Sequence, residues 1–159
     1  MSGMLILGAG NPLAGDDGIG VHVAEALTGD ERLPPGTEVR AAGTDLLRHA
    51  DAMRGRRILV VIDALLGDEP LGTLQVFDGD LSDLDARQGH AHHLSVPQAL
   101  ELLRSVTPAL DGVAVIVAGV TIPEVRSAPG LSAALAARVP LIADDVVALV
   151  RDLARTNPG

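Results

Sequence analysis

At 159 residues and 47% apolar content, the chain is long enough to bury a core, and it has no apolar run near the ~18 residues a membrane helix needs. It has no cysteine, which excludes disulfides, thiolate metal sites and a thiol nucleophile and leaves carboxylates and imidazoles for any chemistry. A formal net charge of −9, with no lysine and one Phe as the only aromatic residue, argues against nucleic acid or an anionic membrane as partner and excludes a Walker-type loop and Schiff-base chemistry.

Residues 4–7 read as a buried strand opening into the loop Gly8-Ala9-Gly10-Asn11-Pro12-Leu13-Ala14-Gly15-Asp16-Asp17. A helix is predicted over 17–27, with Ile19, Val23 and Leu27 at i, i+4 and i+8. A second strand is predicted over 37–41 and a second helix over 44–53. Residues 58–62 are an unbroken β-branched and Leu run, typical of a strand covered on both faces. Residues 72–77 are a further, less buried strand.

Ser95-Val96-Pro97-Gln98 fits a capping box, with a Ser cap, Pro in the first turn and Gln three residues on, opening a helix to Val106. Residues 113–118 form another apolar strand. Helices are expected from Ser132 and from Leu141, interrupted at Pro140, the second carrying a stripe of Ile142, Val146, Leu149, Val150 and Leu153. His22 and His49 fall on helix flanks and are expected at the surface. This alternation implies a single domain over 1–159, a three-layer α/β/α sandwich with a mostly parallel sheet. The start of the chain lacks a basic n-region and a small-residue cleavage site, so the expected location is cytoplasmic.

In such sheets ligands bind outside the carboxyl ends of the strands. That rule selects residues 8–17, 41–44, 63–67 and 119–130. The first of these has the glycines of a dinucleotide turn, Gly8 and Gly10, but Leu13 where a third glycine belongs. Asp16 and Asp17 stand where a phosphate would lie, which disfavours an anion. Two readings of the aspartates stay open. A carboxylate in a first helical turn can cap it and complement the macrodipole, worth roughly 0.3–1 kcal/mol. Alternatively, one carboxylate turns into the crevice and binds a cation.

Asp63, directly after 58–62, favours the cation, because burying an unpaired carboxylate at a central strand end is costly. A third ligand is expected among His90, His92 and His93, just before the Ser95 cap. Two carboxylates and one imidazole would suit Ni, Zn, Mn or Fe. Other hydrolase signatures are absent: there is no Gly-x-Ser-x-Gly and no His-Glu-x-x-His, and Ser95 and Ser132 both look like helix caps.

Gly8-Ala9-Gly10-Asn11-Pro12-Leu13 followed by Asp16-Asp17-Gly18-Ile19-Gly20-Val21 resembles the N-terminal signature of the hydrogenase maturation endopeptidases. The resemblance continues through Gly43-Thr44, Asp63-Ala64, His92-His93-Leu94-Ser95-Val96-Pro97, Gly119-Val120-Thr121-Ile122-Pro123-Glu124 and Gly130-Leu131-Ser132, over about residues 4 to 155. It implies a twisted sheet of about five strands. It also implies an endopeptidase that removes a short C-terminal extension from the precursor large subunit of a nickel–iron hydrogenase after nickel insertion.

The family's metal-binding positions map to Asp17, Asp63 and His92, with His93 the alternative one position on. No tightly bound cofactor is expected; the nickel arrives with the substrate. Asp16 is expected to support the site as cap or base, and Gly10, Asn11, Gly43, Thr44, Pro123 and Glu124 to line the cleft. Other readings on the same scaffold are a non-enzymatic nickel-binding module and a peptidase acting on another precursor.

Overall fold

The computed structural model describes residues 2–79, 81, 84 and 94–157. Its strands are β1 (Ser2–Ala9), β2 (Glu38–Gly43), β3 (Arg56–Leu66), β4 (Leu74–Asp78) and β5 (Ala114–Ile122). They form one five-stranded sheet in the order β2-β1-β3-β5-β4. Four strands run parallel; β4, at one edge, runs antiparallel to β5. The helices are α1 (Ile19–Leu27), α2 (Ala50–Met53), α3 (Val96–Val106), α4 (Ala133–Ala136) and α5 (Val139–Thr156). Among the described residues no helix is long and apolar enough to cross a membrane.

The central strands are apolar at nearly every position because both of their faces are covered. Met4, Ile6, Val60, Ile62 and Ile116 pack on α1 and α5 residues such as Val23, Leu27 and Val146. The alternate residues Leu5, Leu7, Leu59, Val61 and Val117 pack on Met53, Leu100 and Leu103 of α2 and α3. Successive side chains of a strand point to opposite faces, so one run supplies both cores. The result is the expected α/β/α sandwich.

From β1 the chain crosses through α1 on one face to β2. It then returns across the other face, through Leu46 and Met53, to β3 on the far side of β1. The connections therefore diverge between β1 and β3. Such a switch point is where α/β sheets open a crevice at their carboxyl ends.

Several local expectations are corrected. The 17–27 helix is a 3₁₀ turn, Gly15–Gly18, followed by α1, and no side chain caps either segment, so neither aspartate acts as a cap. The 44–53 helix divides into a 3₁₀ turn, Leu46–His49, and the single-turn α2, leaving Thr44 outside both. β3 runs on to Leu66 because β5 pairs with it as far as Ile122, so Asp63 lies within the strand. Pro140 does not interrupt a helix. It sits in the first turn of α5, where the N–H it lacks would have no helical partner.

His22 and His49 are half-buried, and the Nε2 of the first and the Nδ1 of the second are shielded without a hydrogen-bond partner among the described residues. Burial, reinforced by the charges of Arg40 and Arg48, pushes the His49 imidazole below its ordinary pKa range. The capping box is as expected: Gln98 N–H donates to Ser95 Oγ at 3.2 Å, and Ser95 N–H donates to Gln98 Oε1 at 3.0 Å.

The glycines of the first loop serve close packing. A Cβ on Gly20 would lie 2.2 Å from the Ile62 carbonyl oxygen and 2.3 Å from that of Ala9. One on Gly8 would lie 2.1 Å from the Gly20 carbonyl oxygen. α1 thus rests directly on the ends of β1 and β3. Gly20 takes the close-packing role that the dinucleotide pattern would assign to the position of Leu13.

Candidate functional site

After Ala9 the chain turns through Gly10, whose φ of 120° lies in a region that favours glycine. The Gly10 N–H donates to the Gly43 carbonyl at 2.9 Å, which ties the end of β1 to the end of β2. A Cβ here would sit 2.1 Å from the Asp17 carbonyl oxygen and 3.4 Å from Asp63 Oδ1. Gly10 is therefore the point around which the two aspartates gather. Asp17 Oδ2 accepts from the Asn11 N–H at 2.9 Å, closing the loop and fixing that carboxylate.

Asp63 arrives from the other side. The last β1–β3 pair is Gly8 with Ile62, whereas Asp63 pairs with Gly119 of β5, so it projects beyond the end of β1. By alternation its side chain shares a face with Val61 and Leu65, toward α3. Its Oδ1 also accepts from the Ala64 N–H at 2.8 Å.

Asp17 and Asp63 are both buried, and both line a cleft of about 260 Å³ together with Gly10, Gly43, Thr44 and Asp45. Among the described residues no arginine lines this cleft. Carboxylates gathered there can hold a cation through oxygen or take a proton from water. His92, His93 and His90 lie outside the described residues.

Asp16 faces away from the cleft. Its Oδ1 accepts from the Ser132 N–H at 2.7 Å and its Oδ2 from the Ser132 hydroxyl at 2.9 Å. With both oxygens occupied it is a clasp, which replaces the expected cap or base. Two backbone bonds run beside it, Gly15 N–H to Ala128 O at 2.6 Å and Gly130 N–H to Pro12 O at 3.1 Å. Ser132 also caps α4, accepting from the Leu135 N–H. Its cap role was legible in sequence, but its bond to Asp16 was not. The nearest signal was the Gly130-Leu131-Ser132 match.

These bonds also correct the expectation for Pro123 and Glu124. The segment after β5 is drawn onto the outside of the 12–16 loop, and both residues are exposed and away from the cleft lining. Glu124 pairs with Arg126 at 3.1 Å. Asn11 borders the cleft through its bond to Asp17 but is not among its lining residues.

A family model described as hydrogenase maturation protease matches residues 21–149. The hydrogenase 2 maturation protease of Escherichia coli is 31% identical over 103 residues, 64% of this chain and 63% of that protein. Among solved structures, the hydrogenase maturating endopeptidase HybD from Escherichia coli superposes with a TM-score of 0.73 at 26% identity, covering 94% of this chain and 92% of that one. The nickel–iron hydrogenase maturation protease HybD from Thermococcus kodakarensis gives 0.74 at 29% identity, covering 92% and 98%. The matched residues take in α1 from Val21 onward, Asp63 and β5, and the two superpositions cover 94% and 92% of the chain. With a fold and a cleft of this kind, the chain belongs to the hydrogenase maturation protease family.

Proposed function

We propose that the protein is an endopeptidase that cuts a short C-terminal extension from the precursor large subunit of a nickel–iron hydrogenase in the cytoplasm, once nickel has been inserted. Family membership supports the protease role. The observation that carries the site assignment is the meeting of Asp17 and Asp63, from different segments, in one cleft at the switch point.

In this reading Asp17, Asp63 and His92 (His93 being the alternative) complete the coordination of a nickel ion that the substrate already holds. Two oxygens and one imidazole, without thiolate, make a set better suited to reading such an ion than to retaining one. Engaging the metal places the tail in the cleft, so cutting depends on metal loading.

The test is to incubate nickel-loaded and nickel-free precursor with the protein and follow the mass of the large subunit. Only the loaded form should lose its tail. Equal processing of both would overturn metal recognition, and no processing of either would overturn the protease assignment for this precursor. Asp17→Asn, Asp63→Asn and His92→Ala should each lower processing at least 100-fold with unchanged circular dichroism. If His93→Ala is inactive instead of His92→Ala, the ligand is His93.

A further inference from the structure

The cleft holding the aspartates has a second wall of opposite character. Leu46 and Leu47 come from the 3₁₀ turn after β2, and Leu94, Val96 and Ala99 from the approach to α3 and its first turns. Leu46, Val96 and Ala99 are buried, whereas Leu47 and Leu94 are 36% and 43% exposed. A single exposed leucine is ordinary. Here two flank a concave cleft over three buried apolar residues, which gives water an apolar surface that a ligand could cover.

The same cleft is lined by Asp17, Asp45 and Asp63. An acidic side chain entering this cleft would meet three like charges and lose hydration against the leucines. An aliphatic one would gain apolar contact. At about 260 Å³, the cleft is below the roughly 300–1,000 Å³ of small-molecule pockets. That size suits one side chain and its backbone.

We propose that Leu46, Leu47, Leu94, Val96 and Ala99 form a specificity subsite for one aliphatic side chain of the substrate's tail, adjacent to the bond that is cut, and that the three aspartates sharing the cleft reject acidic residues there. This rests on the proposed function, which requires a peptide to lie against Asp17 and Asp63. The wall is continuous with that pair, so a tail positioned for cutting cannot avoid it.

The experiment varies both partners. In nickel-loaded precursor, the tail positions flanking the cut are replaced one at a time by Leu, Ala and Asp, and kcat/KM is read from the mass change. At one position Leu should be cut about tenfold faster than Ala, with Asp slowest, a size of discrimination expected of an apolar pocket. Leu47→Ala and Leu94→Ala should narrow the Leu-to-Ala ratio at that position. Leu47→Arg should speed cutting of the Asp tail relative to the Leu tail, an inversion that a purely structural leucine would not produce. Val106→Asp, at an exposed apolar residue at the end of α3, serves as a control expected to leave the ratio unchanged.

No aliphatic preference at any position, or an unchanged ratio in all three leucine variants, would overturn the subsite while leaving the protease assignment intact. A wild-type protein that cuts no precursor would overturn the proposed function and the subsite with it.

Discussion

Asp16 and Asp17 are identical neighbours with different duties. In a 3₁₀ turn of three residues per turn, adjacent side chains point about 120° apart. One carboxylate therefore enters the cleft while the other reaches Ser132. The clasp joins two loops that follow different strands, so it should be measurable as coupling. Ser132→Ala should lower stability by about 1–2 kcal/mol, since it removes a hydroxyl donor and the cap of α4. Asp16→Ala should cost more, roughly 2–4 kcal/mol, because it strips two charge-assisted bonds and leaves a backbone N–H unpaired. In urea denaturation the double variant should fall short of the sum by about 1 kcal/mol, and strict additivity would count against the clasp.

At the scale of elements, the contact most sensitive to substitution is α1 resting on the ends of β1 and β3. Gly20→Ala would push a methyl into two strand carbonyls at 2.2 and 2.3 Å. It should destabilise the protein by at least about 2 kcal/mol, read as a lower midpoint in urea; an unchanged midpoint would mean that α1 has room to move. The β3 run, the Ser95 capping box and the apolar stripe of α5 were legible in sequence because each is a local pattern. The 3₁₀ turns and α2 were not, being too short to show a period. The strand-end rule pointed to the 8–17 loop and to Asp63, whereas the choice of Asp17 over Asp16 came only from the family resemblance. Pro123 and Glu124 were misplaced because backbone bonds to Pro12 and Gly15, more than 100 residues away, decide where that segment lies. The apolar wall was invisible for a related reason: its residues come from two segments with no shared periodicity, and only the return across the sheet brings them together.

For the whole molecule, a net charge of −9 means that folding brings like charges together. Ion pairs such as Arg32 with Asp144 at 2.8 Å offset only part of this. Raising salt from about 0.01 to 0.15 M shortens the screening length from about 30 to 8 Å, so the thermal midpoint at neutral pH should rise. A falling midpoint would show that the ion pairs outweigh the repulsion. The strand order also bears on when the protein becomes competent during synthesis. β3 lies between β1 and β5, and the residue that pairs with Asp63 is Gly119, not any residue of β1. The ribosome therefore delivers Asp17 and Asp63 well before the strand that holds the second in place. A growing chain carries both carboxylates while the strand that pairs with Asp63 is still missing, and their final placement waits until β5 has emerged.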